Sequence, residues 1–584
     1  MERHRAPYGK SRCSGPGVLC ARKASFDFEL TTHRVTSGTV WGSSIVMRLL
    51  SVGFLVAFVL SCANGPHPTA VVASEPVSAE PAFDEARAVH VLRRMAFGPS
   101  RQALADLRRQ GVEEWMASQL SRPGAPLPAG LKAKLQALPT LTMSMAELVR
   151  EYPPKRQREE ALKDGREPQR PALIGLEQSA AKLLRAVESP NQLEEVLVDF
   201  WFNHFNVSSD KGAVRWMVTA YERDAIRPHV FGNFRELLGA TARHPAMLFY
   251  LDNWRSVRDG MPERVSREAL SEDDDAPEPA EPKPGLNENY ARELLELHTL
   301  GVEGGYTQQD VREVARCFTG WSIRKPRQEP AFYFRRRAHD PDDKWVLGQR
   351  IPGQRSVADG EQVLDLLARH PSTARHVASK LARRFVSDTP PPALVERVAK
   401  VFLDADGDLP TVYRALFQSP EFWAPEARAA KVKTPFEFVV SALRATEVEV
   451  TVRPRLVQSL AKMGEPLFRA PAPTGFPEGA APWVNSGSLV ARLNFSLELV
   501  SGRMPGTKVA LKTLATPAEP TERAWVDALG QALLGAPPSE ATRATILDAL
   551  SKRAEAASAV GETRPVDVSL IAGLLLGSPE FQKQ

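Results

Sequence analysis

Six polar residues lie on otherwise apolar stretches of this chain, and they are the residues with which it could do chemistry. They are Asn203, His204, Glu293, His298, His339 and Asp340. Two histidines with one or two carboxylates suit a divalent metal such as Zn²⁺, Mn²⁺ or Fe²⁺. A metal held in this way can activate water, so these residue types indicate a metal-dependent hydrolase or oxidoreductase as one candidate function.

The metal hypothesis gives these residues two roles. The candidate metal ligands are His204, Glu293, His298, His339 and Asp340, and the candidate catalytic residues are Asn203, His204, Glu293 and His298. The hypothesis requires three segments that are distant in sequence to bring a carboxylate and two histidines into one coordination sphere. In the alternative interpretation these histidines are hydrogen-bonded core residues, because helices with apolar faces draw them inward. The residue types alone leave both interpretations open.

The elements that must position these residues centre on an αα-hairpin over residues 287–321. Asn287 is predicted to cap the first helix, and Gly301 is predicted to end it in a left-handed conformation. Thr307, with Asp310 three residues later, predicts a capping box at the start of the second helix. The two helices are therefore expected to meet through their apolar faces.

His298 is predicted to be buried, because it lies in the middle of the apolar arc of the first helix of this hairpin. Glu293 lies at the edge of the same arc, so only these two polar residues of the helix can face an interior site together. Cys317 lies among apolar residues of the second helix. It is predicted to be a core residue rather than a nucleophile.

Another helix, predicted over residues 180–207, is apolar on nearly every side from Leu193 onward, which is typical of a central buried helix. Asp199, Asn203 and Asn206 are spaced four and three residues apart and form a narrow polar stripe on it. Buried polar groups need hydrogen-bond partners, so this stripe is predicted either to cross-link neighbouring helices or to line a site.

The fold class follows from the repetition of such elements. Apolar residues recur at helical spacing along most of the chain, which predicts an all-α protein built from αα-hairpins packed around a central buried helix. Strand-like alternation occurs only near residues 332–348, so at most one small β-hairpin is expected. That hairpin would present His339 and Asp340 in its loop.

Length and composition indicate a soluble globular protein. Of 584 residues, 43% are hydrophobic and 25% are charged, and the net charge is +5. A charge this small, with acidic and basic residues interleaved, argues against nucleic acid as a partner. The length exceeds that of a usual single core, so more than one packed subdomain is expected.

The N-terminal region predicts export. Met47 and Arg48 precede the apolar run LLSVGFLVAFVL, and Cys62 follows in VLSC, which resembles a bacterial lipoprotein signal peptide over residues 47–61. The apolar run is too short for an ordinary transmembrane span. We therefore expect lipidation at Cys62 and anchoring to a membrane of the cell envelope, on its periplasmic or outer-membrane face.

These signals predict the domain organisation. The chain divides into an over-extended N-terminus (1–46), the signal peptide (47–61), a disordered tether (62–82) and a helical domain (83–584). Within the helical domain we expect a division into two subdomains, 83–425 and 426–584. The acidic, proline-rich insertion at 258–286 is predicted to be disordered.

Familiar catalytic motifs do not identify an activity. No P-loop, dinucleotide fingerprint, HExxH, GxSxG or paired CxxC motif occurs in the sequence. Ser179 and Lys182 have the S-x-x-K spacing of serine acylases, but convincing partner motifs are missing. A serine acylase is therefore not indicated.

A family resemblance adds to this interpretation. The chain resembles the family called domain of unknown function 1800 in the motifs FWFNHFNV, HPAMLFYLDN, NENYARELLELHTLGVEGGYTQQDVREVARCFTGW and SPEF, together with His339, Asp340, Lys344, Leu347 and Gly348. The resemblance runs from about Phe83 to the C-terminus. Members are bacterial and generally exported, and their genes often neighbour a second exported family, domain of unknown function 1501. The resemblance therefore implies a partner from the 1501 family, and it implies no activity.

Two functions from different classes are open on these observations. The first is an exported, lipid-anchored helical envelope protein that acts as a scaffold or binding module with a co-exported partner. The second is the enzyme described above, with a divalent metal as its cofactor. Whether the candidate ligands converge in space is the observation that separates the two.

Overall fold

The computed structural model describes residues 83–121, 126–261, 285–558 and 565–584. The predicted N-terminus, signal peptide, Cys62 and tether lie outside the described residues, as does most of the insertion at 258–286. The residues from 83 onward belong to one compact unit that spans 79–584. The expected division between residues 425 and 426 stays a prediction.

Helices account for most of the described chain. The helices before the insertion are α1 (Glu85–Arg94), α2 (Arg101–Gln110), α3 (Val112–Leu120), α4 (Ala129–Gln136), α5 (Met145–Glu151), α6 (Lys155–Lys163), α7 (Ala172–Glu188), α8 (Gln192–His204), α9 (Val218–Ala220), α10 (Phe234–Arg243) and α11 (Pro245–Tyr250). Those between the insertion and residue 425 are α12 (Asn289–Glu293), α13 (Gln308–Phe318), α14 (Ala358–Ala368), α15 (Pro371–Phe385), α16 (Pro392–Asp404), α17 (Leu409–Phe417) and α18 (Pro420–Trp423). The last group is α19 (Pro435–Ala445), α20 (Pro454–Lys462), α21 (Ser486–Val500), α22 (Leu511–Leu514), α23 (Glu522–Leu534), α24 (Glu540–Ser558), α25 (Val568–Leu576) and α26 (Pro579–Gln582).

Two of these helices continue into wider turns, and short 3₁₀ segments occur between others. α9 runs into a π-helix at Tyr221–Ile226, and α12 runs into one at Leu294–Thr299. The 3₁₀ segments are Pro139–Leu141, Gly212–Trp216, Arg227–His229, Asn253–Arg255, Arg336–Ala338, Pro425–Ala427 and Ala481–Trp483. Among the described helices, none combines the length and the apolar character needed to cross a membrane.

The predicted fold class is confirmed, with more β-structure than expected. Three antiparallel two-stranded sheets occur in the described residues: β1 (Trp321–Arg324) with β2 (Ala331–Phe334), β3 (Lys344–Val346) with β4 (Gln349–Ile351), and β5 (Glu449–Val450) with β6 (Thr507–Lys508). The single hairpin predicted near 332–348 is therefore replaced by two. The predicted first strand corresponds to β2 and pairs with β1, which precedes it in sequence, because an extended segment already starts at Trp321, three residues after the end of α13.

His339 and Asp340 consequently connect two hairpins instead of lying in the loop of one. Both residues are buried. The loop of the second hairpin is Leu347–Gly348, and both residues have positive φ angles, 49° and 74°. Positive φ at both central positions is the pattern of a two-residue type I′ turn, which matches the twist of the flanking strands.

α8 is the central buried helix that the sequence predicted. Eleven of its residues are buried, including apolar side chains on opposite sides of the helix, such as Val196 and Val198. Its polar stripe cannot reach bulk water freely and must be satisfied inside the protein. The helix therefore brings polar groups into the interior at fixed positions.

The αα-hairpin formed by α12, its π-helical continuation and α13 also agrees closely with the prediction. Thr307 and Asp310 form the predicted capping box, and Gly301 has the predicted left-handed conformation with φ of 83°. The first boundary differs by one residue, because α12 begins at Asn289 with Glu288 at the cap position. Asn287 still serves the helix start, since its Oδ1 accepts a hydrogen bond from the backbone N of Asn289 at 2.8 Å.

Candidate functional site

Three histidines, two of them predicted site residues, lie together where α8, α15 and the hairpin meet. The ring centroid of His204 lies 6.3 Å from that of His298 and 6.0 Å from that of His376. His204 is 3% exposed and His298 is 2% exposed, so the predicted burial of His298 is confirmed. The neighbour His376 comes from α15.

Two of these histidines hold the C-terminal end of the helix that carries the third. Nε2 of His204 donates to the carbonyl oxygen of His298 at 3.1 Å, and Nε2 of His376 donates to that of Leu297 at 3.0 Å. Carbonyl groups in the last turn of a helix lack donors within the helix. The two imidazole N–H groups supply those donors, which gives both histidines a structural role.

Burial keeps this histidine cluster neutral. It lowers the pKa of His298 to about 3 and that of His376 to about 4, and it holds the pKa of His204 well below its ordinary value. The ammonium group of Lys380 adds to each of these shifts. Nδ1 of His204 and Nε2 of His298 have no hydrogen-bond partner among the described residues. The three histidines are therefore uncharged polar side chains inside the core.

The other predicted ligands lie elsewhere. Glu293 is half-buried, and burial together with the nearby Glu296 raises its pKa. Its carboxylate makes no hydrogen bond to the histidines of the cluster. His339 and Asp340 belong to a separate network around α13 and α14. Within the described ranges, no three His, Cys, Asp or Glu side chains are arranged to hold a metal ion. The convergence on which the metal hypothesis depends is thus missing.

His339 forms a buried charged network with Lys344 and Asp359. Nε2 of His339 lies 3.1 Å from Oδ2 of Asp359, and Nζ of Lys344 lies 2.7 Å from the same oxygen. Lys344 and Asp359 are both 0% exposed. Burial opposes ionisation of Asp359, but the hydrogen bonds from His339 and Lys344 outweigh it and hold the pKa of this carboxyl below its usual range. The network joins the β-hairpins to α14.

Asp340 extends this network to α13. Its carboxylate accepts two hydrogen bonds from Arg316, at 2.8 and 3.1 Å, and Arg316 also pairs with Glu313 at 2.8 Å. Glu313 in turn accepts the backbone N–H of Trp345 in β3 at 3.0 Å. The predicted His339–Asp340 pair therefore fixes the hairpins on the helices, and Cys317 nearby is fully buried, as a core residue should be.

On another face of α8, the predicted polar stripe lines a cavity of about 60 Å³, which we call the charged cavity. It lies between α7, α8, α15, the start of α19 and the loop after α20. Its charged lining residues are Lys182, Asp199, Arg384, Lys431, Glu437, Glu465 and Glu478. The volume suits a few non-hydrogen atoms, because one water needs roughly 10–15 Å³ on this scale.

Opposite charges are paired around the charged cavity. Nζ of Lys182 lies 2.6 Å from Oδ1 of Asp199, and Arg384 lies 2.6 Å from Glu437. Burial would lower the pKa of Lys182, but Asp199 and other nearby carboxylates outweigh it and raise the pKa. The Lys182 ammonium also lies about 5 Å from the ring centre of Phe436. Lys182 is thus held as a cation and cannot act as a general base.

Two atoms at the charged cavity are buried without a partner among the described residues. They are Nη1 of Arg384, a donor, and Oε2 of Glu478, an acceptor. The Arg384 side chain is 9% exposed, and the other oxygen of Glu478 pairs with Lys380 at 3.0 Å. Buried polar atoms are normally satisfied, so these two atoms are available as a donor and an acceptor to a ligand or a water in the cavity.

Glu465 adds a group of unusual acidity to the charged cavity. Burial, with a smaller contribution from Asp199, raises its pKa to about 8, although one of its oxygens accepts the backbone N–H of Phe436 at 2.7 Å. The carboxyl is therefore protonated at neutral pH. A protonated carboxyl can donate one hydrogen bond, which adds a donor to the lining.

The polar stripe of α8 also holds the loop that closes the charged cavity. Asn203 donates to the carbonyl of Phe476 at 2.9 Å and accepts from its backbone N at 2.7 Å. Asn206 donates to the carbonyl of Ala472 at 2.8 Å. The adjoining Gly475 has φ of 71°, and a Cβ there would lie 2.4 Å from Asn203 oxygens. Both predicted roles of the stripe, cross-linking and lining a site, are therefore present.

Most of the chain matches one known protein family. The family described as "Protein of unknown function (DUF1800)" matches residues 90–583, which is most of the sequence. The chain belongs to the DUF1800 family. No curated protein and no solved structure matched the chain.

The residues that suggested DUF1800 membership have structural explanations. In FWFNHFNV, Asn203 and Asn206 hold the loop over the charged cavity, and His204 holds the end of the hairpin helix. Lys344 belongs to the buried network, and Leu347–Gly348 form the tight turn. The motifs of this DUF1800 protein therefore describe how its interior is assembled.

Sequence reasoning missed much of the charged cavity of this DUF1800 protein. Arg384 lines the cavity from α15, Lys380 four residues earlier pairs with the lining residue Glu478 at 3.0 Å, and His376 four residues before that belongs to the histidine cluster. That spacing was a readable signal, because such residues share a helix face. Glu465 and Glu478 lie in an irregular loop and carry no periodic signal.

Proposed function

We propose that this DUF1800 protein is a non-catalytic binding module of the bacterial cell envelope whose charged cavity takes a small polar ligand. The serine and the lysine with the spacing of a serine acylase are both engaged in other contacts, which supports binding over catalysis of that kind. The Ser179 hydroxyl donates to the carbonyl of Gly175 at 2.7 Å, and Lys182 is held by Asp199. The Ser179 proton is directed to a backbone carbonyl and not to a base, and the protonated Lys182 has no free lone pair, so neither residue is activated as a nucleophile or a base.

The unpartnered atoms at the charged cavity carry this proposal. A ligand that satisfies Nη1 of Arg384 must present an acceptor, and one that satisfies Oε2 of Glu478 must present a donor. The charged lining consists of three basic residues, Lys182, Arg384 and Lys431, and three acidic ones besides the protonated Glu465, so no net charge selects for an anion or a cation. A compact neutral or zwitterionic ligand fits this arrangement.

Glycine, the smallest ammonium carboxylate, is the probe for this site. We expect millimolar glycine to raise the melting temperature of the full chain, because a ligand that binds only the folded state stabilises it. Glu478→Gln should abolish the rise in melting temperature. The amide keeps the shape of the side chain but replaces the charged carboxylate, which would accept hydrogen bonds from the ammonium group of glycine, with a neutral group. Differential scanning fluorimetry measures both effects.

Glu396→Gln is the matched control, because Glu396 lies at the surface in an ion pair with Arg375 at 3.1 Å. It should respond to glycine as the unmodified protein does. Native mass spectrometry of the protein taken directly from membranes provides an independent readout. The proposal is overturned if no small-molecule adduct is retained there and glycine leaves the melting temperature unchanged.

Export and lipid anchoring complete the proposed function. The signal-like segment at 47–61 and the cysteine that follows it support a lipoprotein anchored at Cys62. The family resemblance supports a co-exported partner of the 1501 family. A binding module held at the envelope surface in this way would act as a scaffold for that partner.

Cys62→Ala tests the anchor and the partner in one experiment. We expect the unmodified chain to partition into detergent and the variant to remain in the aqueous phase, because the variant lacks the acylated cysteine. A pull-down of the unmodified chain from detergent-solubilised membranes should retain a 1501-family protein in stoichiometric amount. Equal partitioning of both chains would refute the anchor, and a pull-down without such a partner would refute the scaffold.

A further inference from the structure

A second cavity, which we call the arginine cavity, lies between the first and the last parts of the described chain. It has a volume of about 390 Å³ and is bounded by α1, residues 428–429, α23 and the turn after α23. Its polar lining consists of Glu85, His90, Arg93, Arg428 and Gln531. The remaining lining residues are small or apolar, among them Val89 and Pro537. Cavities of this size with a few convergent polar groups are typical small-molecule sites.

The positive charges at the arginine cavity have no counter-ion among the residues that the structure describes. Arg93 is half-buried and donates to the carbonyl of Leu534 at 2.9 Å. Neither Arg93 nor Arg428 forms an ion pair with any described carboxylate. The only acidic lining residue, Glu85, is already bound to Arg108 at 2.8 Å. A guanidinium that is partly withdrawn from water without an anion is costly, so the cavity favours a negative ligand.

The pKa of His90 is consistent with a positive electrostatic potential at the arginine cavity. Its Nε2 donates to the carbonyl of Phe422 at 2.7 Å, and the ring is buried. Burial lowers the pKa of His90 to about 4, and the neighbouring Arg94, Arg428 and Arg93 contribute in the same direction. Two of these arginines, Arg93 and Arg428, line the cavity, and no carboxylate is among the causes of the shift, so the electrostatic potential at the cavity favours an anion.

We propose that the arginine cavity binds an organic oxyanion, a carboxylate or a phosphate, with an apolar body. The planar guanidinium groups of Arg93 and Arg428 present the fork of donors that such oxyanions accept. The apolar body would lie against Val89 and Pro537, where the lining has no polar group to satisfy. The site shares no residue with the charged cavity, so this inference is independent of the proposed function.

Isothermal titration calorimetry of the full chain with benzoate and with phenyl phosphate tests the site. We expect one equivalent of each probe to bind, and Arg428→Ala to weaken binding by about tenfold, because one charge-assisted hydrogen bond is lost. Arg428 is exposed and makes no side-chain bond to a described residue, so this variant should fold normally. The ratio of the two affinities identifies which oxyanion the site prefers.

Two controls locate the binding. Arg414→Ala removes an exposed arginine that is not part of the cavity lining and should leave both affinities unchanged. Glu478→Gln, which alters the charged cavity, should also leave them unchanged. Arg93→Lys keeps the charge but loses the planar fork of donors, so it should weaken binding on its own. The double variant Arg93→Lys with Arg428→Ala should weaken binding further. The proposal is refuted if neither probe binds at millimolar concentration or if Arg428→Ala binds both probes as the unmodified chain does.

Discussion

Replacing Asp359 by alanine is expected to lower the free energy of unfolding by about 3 kcal/mol, because it removes the nearest counter-ion of the buried Lys344 and leaves only Asp340, whose Oδ1 lies 3.8 Å away. Nζ of Lys344 lies 2.7 Å from Oδ2 of Asp359, and neither residue is exposed to solvent. The substitution also removes the partner of Nε2 of His339. Denaturant unfolding followed by tryptophan fluorescence measures the loss.

Asp359→Asn and Asp404→Ala are the comparisons that make this result interpretable. The asparagine keeps an acceptor for Lys344 without the charge, so its loss should be intermediate. Asp404 pairs with Lys400 at the surface, where exposed pairs contribute little, and its removal should leave unfolding nearly unchanged. If Asp359→Ala is as stable as Asp404→Ala, the buried network is not what holds the hairpins.

The Asp359 prediction has a pH signature with a definite sign. The folded-state pKa of this carboxyl is held below its usual value, so its stabilising contribution is present at neutral pH. That contribution is lost as the pH falls from the unfolded-state value of about 4 through the lower folded value. The difference in stability between Asp359→Ala and the unmodified chain should therefore shrink in acid.

Much of the interior of this DUF1800 protein could be predicted because local signals determine it. The left-handed Gly301, the capping box of Thr307 and the burial of His298 depend only on residues within a turn or two of each other. Helical spacing likewise identified α8 as central and placed Asp199 and Asn203 on one stripe. Such features can be predicted without knowledge of the tertiary fold.

The sequence does not predict which helix faces pack against each other. His204 follows Asn203 in sequence, yet the two side chains leave α8 about 100° apart, one toward the hairpin and one toward the charged cavity. The pairing of β1 with β2 depended on where α13 ends, and that placed His339 between two hairpins. The metal hypothesis required Glu293, His298 and either His204 or His339 to converge, which the sequence could not decide, because sequence spacing fixes directions on one helix but not between helices.

Glu465→Gln is expected to change the pH dependence of stability more than any other single substitution at the charged cavity. Burial raises the pKa of Glu465 to about 8, far above that of an exposed glutamate. Between these two values the folded protein binds a proton that the unfolded chain releases. Stability therefore falls as the pH rises, by about 1.4 kcal/mol per pH unit from this group. Glutamine cannot ionise and removes the slope.

The quantity to measure is the difference in free energy of unfolding between Glu465→Gln and the unmodified chain. From pH 5.5 to pH 7.5 it should increase by about 3 kcal/mol in favour of the variant. The buried histidines titrate in both proteins and cancel in this difference. Curves that run parallel over this range would show that Glu465 is ionised in the folded state.

Ionisation of Glu465 should also change ligand binding at the charged cavity. At neutral pH the protonated Glu465 leaves the remaining acidic and basic lining residues in balance, which suits a neutral or zwitterionic ligand. Ionisation above about pH 8 adds one negative charge to a buried, low-dielectric site, where a charge acts strongly on its neighbours. A glycine bound in this cavity would bring its carboxylate into the same small site, so its stabilising effect on the unmodified chain should weaken above that pH. In Glu465→Gln, glycine should stabilise the protein equally on both sides of it.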